Sequence, residues 1–210
     1  MALNDRLASI RRRKTAETRA AYDEFIKRLD TARVMEDVLD VGDPMPAFLL
    51  PSAEGRLVDS ADLLAAGPVV ITFFRGTWCP YCAATLDALE ASLPDLAGAG
   101  ATLVALTPEA GGRALAMKRE HLLHYEVLAD IDLGIAMAFG IVFRTPPLYA
   151  ELLRHTGIDL GERTGNQAWL LPIPATFLVD QAGTIARRWV NIDFTRRTEP
   201  AEVLAALRAL

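Results

Sequence analysis

Cysteine is scarce in this sequence, with two in 210 residues. That excludes a disulfide-built scaffold, because small secreted folds without a sufficient core use many more. There is also no run approaching the ~20 apolar residues that span a bilayer, so no membrane partner is expected. Basic residues are not in excess: the formal net charge is −5, which leaves no overall electrostatic footprint for nucleic acid. Residues 1–13 lack the continuous apolar stretch of a secretory signal, so the expected location is cytoplasmic, in a reducing compartment. There, two cysteines serve catalysis or metal binding more often than structure. Internal repeats and low-complexity tracts are missing as well. What remains is 51% hydrophobic and 23% charged, with 14 Gly and 12 Pro, an ordinary globular composition long enough to bury a core.

The first forty residues stand apart, since they contain no Gly or Pro and are densely charged. Leu3, Leu7, Ile10, Tyr22, Phe25, Ile26, Leu29, Val34, Val38 and Leu39 recur at loosely helical spacing. This pattern predicts an N-terminal helical extension over 1–40, one long or broken amphipathic helix ended by the Gly and Pro residues of 41–46. The run Arg11-Arg12-Arg13-Lys14 reads as a solvated helix face rather than a phosphate or lipid contact, because Glu17, Asp23 and Glu24 follow it. The extension is expected to pack on the body of the protein or to serve as a dimerisation arm in a homodimer.

Residues 41–210 alternate strands with helices. Pro68 to Phe74 is a β-branched and aromatic run that predicts a buried central strand. A helix is expected from Tyr81 to Ala97, a strand over 101–106, and a helix opened by Pro108 and running to Leu123. A short strand at 126–129 and a short helix at 131–139 follow. Residues 143–171 read as an insertion with one helical piece, Leu148 to His155. Ala175 to Val179 and Thr184 to Val190 then form a hairpin across Asp180-Gln181-Ala182-Gly183, and a last helix begins at Pro200. The predicted class is α/β, a sandwich with a central mixed β-sheet flanked by helices.

The chemistry concentrates in Arg75-Gly76-Thr77-Trp78-Cys79-Pro80-Tyr81-Cys82, where a buried strand gives way to a helix. A helix N-terminus offers unpaired N–H groups and partial positive charge, both of which favour thiolate over thiol. The three-residue separation brings both sulfurs onto the first turn, and Pro80 sets φ there without costing a hydrogen bond. Arg75 adds positive potential. A zinc site is the competing reading, with His121, His124 and His155 as the available partners, but their spacing matches no short zinc module. No metal and no cofactor are expected.

Trp78-Cys79-Pro80-Tyr81-Cys82 resembles the active site of the thioredoxin superfamily, and the surrounding chain resembles its AhpC/TSA peroxiredoxin branch from about Val41 to Val190. Ile173-Pro174-Ala175-Thr176-Phe177-Leu178-Val179-Asp180 is similar to the superfamily's cis-proline strand. Residues 41–48 and 126–140 resemble the opening and the strand–acidic turn–helix segment of peroxiredoxins. The resemblance implies a thioredoxin-like fold, with Trp78, Pro174, Arg75 and Thr77 supporting Cys79 and Cys82. The peroxiredoxin signature Pro-x-x-x-Thr-x-x-Cys is altered, however. Aligned on Cys82, Arg75 stands at the proline and Cys79 at the threonine, while the family's peroxide-activating arginine falls on Pro174.

Two activities follow. In a peroxiredoxin-like peroxidase, a thiolate takes oxygen from a peroxide and the second thiol closes a disulfide, which an external dithiol such as thioredoxin reduces. By register Cys82 attacks and Cys79 resolves. In a thiol–disulfide oxidoreductase, Cys79 attacks a substrate disulfide and Cys82 resolves. A redox-sensing binding protein without turnover is the third reading.

Overall fold

The computed structural model describes residues 1–165 and 167–210. The N-terminal extension is two helices, α1 (Leu3–Arg12) and α2 (Ala16–Thr31), broken at residues 13–15. Thr15 starts the second helix by accepting the Thr18 N–H on Oγ1 at 3.2 Å. The first has no cap of its own. Instead, the distant Glu199 carboxylate accepts its free Leu3 and Asn4 N–H groups at 3.0 and 2.7 Å, placing negative charge at the positive helix end. Leu3 and Leu7, then Tyr22, Phe25 and Leu29, fall on one face and are buried. Phe25 stacks on Tyr149 with ring centroids 4.1 Å apart, and Tyr22 meets Phe194 edge-on at 4.9 Å. The extension is thus packed into its own chain.

A small hairpin, β1 (Leu49–Pro51) with β2 (Leu57–Asp59), leads into α3 (Ser60–Ala66), capped by Asp59. β3 (Val69–Phe73) is buried along its whole length, as its apolar run predicts. The helix expected over 81–97 is instead α4 (Pro80–Ala91) and α5 (Leu93–Gly98), because Pro94 cannot continue a helix and sits in the first turn of a new one. β4 (Thr102–Thr107) follows.

The helix expected from Pro108 begins only at α6 (Arg113–Glu120). Gly111 and Gly112, with φ of +69° and +76°, hold the preceding residues in a loop. β5 (Glu126–Ala129) ends at Asp130, whose carboxylate accepts the N–H groups of Ile135 and Ala136 at the start of α7 (Gly134–Ala138).

The 143–171 segment holds more structure than expected. β6 (Val142–Arg144) pairs with β7 (Leu170–Pro172), and α8 (Pro147–His155) and α9 (Leu160–Thr164) lie between them. Asn166 of this segment lies outside the described residues. β8 (Ala175–Val179), β9 (Ile185–Val190) and α10 (Pro200–Leu207) complete the chain.

The main sheet runs β5-β4-β3-β8-β9, with β3, β4 and β5 parallel and β8 antiparallel to both neighbours. This is the mixed sheet expected. Its register sets Phe73 opposite Ala175, so the end of β3 and the entry to β8, both interior strands, meet at one end of the sheet, beside the cysteines. No helix among the described residues is long and apolar enough to cross a membrane.

Because Phe25 is 1% exposed and joins the extension to the body, Phe25→Ala is expected to destabilise the protein by about 3–5 kcal/mol. Urea unfolding measures this. A loss below about 1 kcal/mol would mean that the extension is not part of the cooperative core.

Candidate active site

β3 ends at Phe73, and Phe74 donates its N–H to the Leu106 carbonyl at 3.0 Å, carrying the chain one step past the strand. The turn that follows needs glycine. Gly76 has φ of +148°, and a Cβ there would lie 2.6 Å from Trp78 Nε1 and 2.7 Å from the Glu109 carboxyl carbon. Cys79 is the N-cap of α4, and the Cys82 N–H points at its Sγ from 3.4 Å. A sulfur occupies the place where serine or aspartate oxygen commonly satisfies a helix N-terminus. Both cysteines are free and buried, 0% and 1% exposed.

Arg75 is also buried, at 1% exposure. Its Nη2 donates to Cys79 Sγ at 3.3 Å and its Nη1 to the Tyr149 hydroxyl at 2.9 Å. The guanidinium lies 3.9 Å from the Phe194 ring centroid and 5.0 Å from that of Trp78, a cation–π setting. No carboxylate pairs with it among the described residues. A buried charge without a counter-ion is costly, and the adjacent group able to supply negative charge is the Cys79 sulfur.

The titration of the pair follows from this. Burial pushes the Cys79 thiol up, but the hydrogen bond from Cys82 and the charges of Arg75 and Arg197 outweigh it, so its pKa falls well below the ordinary thiol value. Burial pushes Cys82 up, and its bond to Cys79 and the Cys79 charge push it further. In the reduced pair these contacts favour the charge on Cys79 and the proton on Cys82. Burial lowers the Arg75 pKa, yet the surrounding phenol oxygen and sulfurs more than reverse this and hold the guanidinium charged.

The other expected residues fall in different places. Trp78 lies against Arg75. Thr77 turns away from the sulfurs: its N–H and hydroxyl bond the Glu109 carboxylate at 2.6 and 3.2 Å, and Arg163 closes the group 3.0 Å from Glu109. Pro174 borders Cys82, but the expected cis bond is not found, since no peptide bond among the described residues is cis. On its two sides the Ile173 N–H is held by the Ile141 carbonyl at 2.7 Å and Ala175 is paired with Phe73. The histidines proposed for zinc are engaged elsewhere. His121 Nδ1 lies 2.6 Å from Asp87, His124 Nδ1 lies 2.6 Å from Glu90, and His155 meets the Glu151 carbonyl.

Four contributors were not singled out from the sequence: Tyr149, Glu109, Phe194 and Arg197. None belongs to a local pattern: Tyr149 comes from α8, Glu109 from the loop after β4, and Phe194 and Arg197 from the loop after β9. Arg197 Nη2 is fully enclosed without a hydrogen-bond partner among the described residues. It lines a cavity of about 230 Å³ with Cys82 and Pro174. A second cavity of about 420 Å³ lies on the Arg75 side, walled by Trp78, Tyr81, Tyr149, Leu152 and Ile158, with Lys14 at its edge.

With this geometry in place, comparison with known proteins gives a consistent result. The AhpC/TSA family model matches residues 41–188. A putative peroxiredoxin of Mycobacterium tuberculosis is 26% identical over 75% of this chain and 88% of its own length. A putative peroxiredoxin bcp of Coxiella burnetii is 23% identical over 73% and 90%. Among solved structures, peroxidoxin BcpB of M. tuberculosis superposes with a TM-score of 0.64 at 20% identity, covering 82% of this chain and 98% of its own. The reduced 2-Cys peroxiredoxin of Plasmodium vivax gives 0.61 at 17% identity, over 80% and 94%. These structural likenesses show a shared thioredoxin-like α/β fold.

The Glu109 group yields a prediction. Its carboxylate is wholly buried and Arg163 is 26% exposed. Glu109→Ala, which strands the Thr77 N–H and Arg163, is expected to cost about 2–3 kcal/mol, less than for a fully buried pair. Chemical denaturation checks this, and an unchanged midpoint would deny the carboxylate its role in holding the cysteine loop.

Proposed function

Because the chain belongs to the AhpC/TSA family, we propose that it is a peroxiredoxin-like thiol peroxidase working through a Cys79–Cys82 dithiol–disulfide cycle. The observation that carries this reading is the buried Arg75 guanidinium bonded to Cys79 Sγ at 3.3 Å. It keeps a thiolate ready and puts positive charge where a peroxide oxygen departs.

The Cys79 thiolate attacks one peroxide oxygen and breaks the O–O bond. The leaving alkoxide or hydroxide takes a proton and departs as alcohol or water, and Cys79 becomes a sulfenic acid. Cys82, on the same helical turn, displaces the sulfenic hydroxyl as water and closes the disulfide. Two electrons from an external thiol donor restore the pair. The sequence resemblance implies a thioredoxin-type dithiol for that step.

This order of events reverses the one expected from register, which made Cys82 the attacking residue. Register aligns positions, whereas the thiolate is the nucleophile, and the hydrogen bonds and cations favour it on Cys79. Arg75 stands in for the guanidinium that the family places where this chain has Pro174. Attack on a protein disulfide is the weaker reading, because Cys79 lies beneath Arg75, Tyr149 and Phe194 and is 0% exposed.

Peroxide treatment followed by dimedone trapping tests the assignment. Cys82→Ser is expected to carry a stable sulfenic acid on Cys79, and Cys79→Ser to carry none. Arg75→Met is expected to slow peroxide consumption by on the order of 10²–10³, as for loss of one preorganised donor. A sulfenic acid confined to Cys82 would restore the register assignment. Peroxide reactivity no better than that of a free thiol would sink the peroxidase reading.

A further inference from the structure

The departing oxygen of a peroxide leaves as a strong base and needs a proton. The attacking sulfur is sealed from bulk water, since Cys79 is 0% exposed, so the wall of the site is the place to look for the donor. Arg75 holds two groups side by side on the prongs of its guanidinium, Cys79 Sγ on Nη2 at 3.3 Å and the Tyr149 hydroxyl on Nη1 at 2.9 Å. The Tyr149 oxygen is the acceptor in that bond. Its own hydrogen is therefore free, and nothing among the described residues accepts it. Tyr149 is 2% exposed, and its ring is fixed by stacking on Phe25 at 4.1 Å and by the edge of Tyr22 at 6.3 Å. With Arg75 it lines the cavity of about 420 Å³ on that side of the site.

We propose that Tyr149 is a catalytic acid that gives its hydroxyl proton to the departing peroxide oxygen. The proposal rests on the peroxidase reading above and supplies the proton that its first step consumes. The Cys79 thiolate bonds to the terminal peroxide oxygen, which keeps its hydrogen, and the O–O bond breaks with its electron pair on the departing oxygen. That oxygen takes the Tyr149 proton and leaves as alcohol or water, while Tyr149 becomes a phenolate on Arg75 Nη1. Sulfur is oxidised to the sulfenic acid and the peroxide is reduced. The negative charge passes from one prong of the guanidinium to the other, so the buried cation keeps an anionic partner. Tyr149 then regains a proton from water.

The neighbouring donors fit the role less well. A guanidinium is not deprotonated in proteins and an indole N–H is a donor only, which leaves Arg75 and Trp78 to orient and polarise. The Tyr81 hydroxyl has no hydrogen-bond partner, and so no bond to Arg75 or to either sulfur. Cys82 borders the other cavity, and its thiol is needed to close the disulfide. Burial raises the Tyr149 pKa while the Arg75 charge opposes the rise. The phenol is thus protonated at neutral pH, yet it remains a stronger acid than water at about 15.7.

Tyr149→Phe keeps the ring on Phe25 and removes only the hydroxyl. The full chain, reduced and freed of reductant, is mixed in a stopped flow with hydrogen peroxide or with peracetic acid. Rates of the tryptophan fluorescence change are expressed per thiolate, measured by its absorbance. Hydrogen peroxide expels hydroxide, which needs a proton, whereas peracetic acid expels acetate, a carboxylate stable without one. Tyr149→Phe is expected to lose about 10²-fold or more with hydrogen peroxide and a much smaller factor with peracetic acid. In the native protein the solvent deuterium isotope effect is expected to be larger with hydrogen peroxide than with peracetic acid, a readout that depends on no variant.

Equal isotope effects in the native protein would overturn the proposal, as would hydrogen peroxide reactivity that survives Tyr149→Phe. If the native protein is fast and Tyr149→Phe slows both oxidants alike, Tyr149 acts only by holding Arg75. The proposal then falls and the peroxidase reading stands. A native protein that reacts with hydrogen peroxide no faster than a free thiol would remove both.

Discussion

A guanidinium buried without a carboxylate is the constraint around which this molecule is arranged. Arg75 gives one hydrogen bond to Tyr149 and one to Cys79, and rests on the Phe194 ring. Neutral partners and a ring face offset only part of the desolvation of a full charge. The rest comes from ionising the Cys79 sulfur, which the end of α4 also favours through the Cys82 N–H. Cation and thiolate stabilise each other, and separating them leaves an uncompensated buried charge on either side.

That arrangement explains why the N-terminal extension, the 143–171 segment and the loop after β9 are tied to the site. α2 from the N-terminal extension and α8 from the 143–171 segment meet through Phe25 and Tyr149, and Tyr149 then holds Arg75. Phe194, from the loop after β9, closes the other face of the guanidinium and packs on Tyr22 and Tyr81. The core of the extension and the electrostatics of the thiol are one structure. A loss of packing at α2 reaches the cysteine through two ring contacts and one hydrogen bond. Meanwhile Gly76 and Glu109 hold the turn that presents both sulfurs.

Much of the fold was legible because its signals are local. The run Pro68 to Phe74 could only be a buried strand, the Asp180–Gly183 turn marked a hairpin, and the absence of Gly and Pro marked the helical extension. The missed boundaries have local causes that outweighed periodicity: Pro94 split one helix, and the Gly111-Gly112 pair delayed another. The site was half legible. Cys-x-x-Cys at a strand-to-helix junction announced itself, and Arg75 was noticed for its charge. The other contributors Tyr149, Phe194 and Arg197 lie 74 to 122 positions beyond Arg75, and no sequence period links them to the cysteines. Which sulfur holds the charge depends on those distant contacts, so position in a motif could not assign it.

The mutual stabilisation of Arg75 and Cys79 is tested most directly by titrating the thiolate absorbance at 240 nm in the reduced protein, with Arg75→Met beside it. One thiolate equivalent is expected to persist at neutral pH and to disappear only on acidification, well below the ordinary thiol range near 8.5. In Arg75→Met the midpoint is expected to move up into that range or beyond. A native protein with no thiolate absorbance until above pH 8, or a midpoint indifferent to the loss of Arg75, would contradict the account.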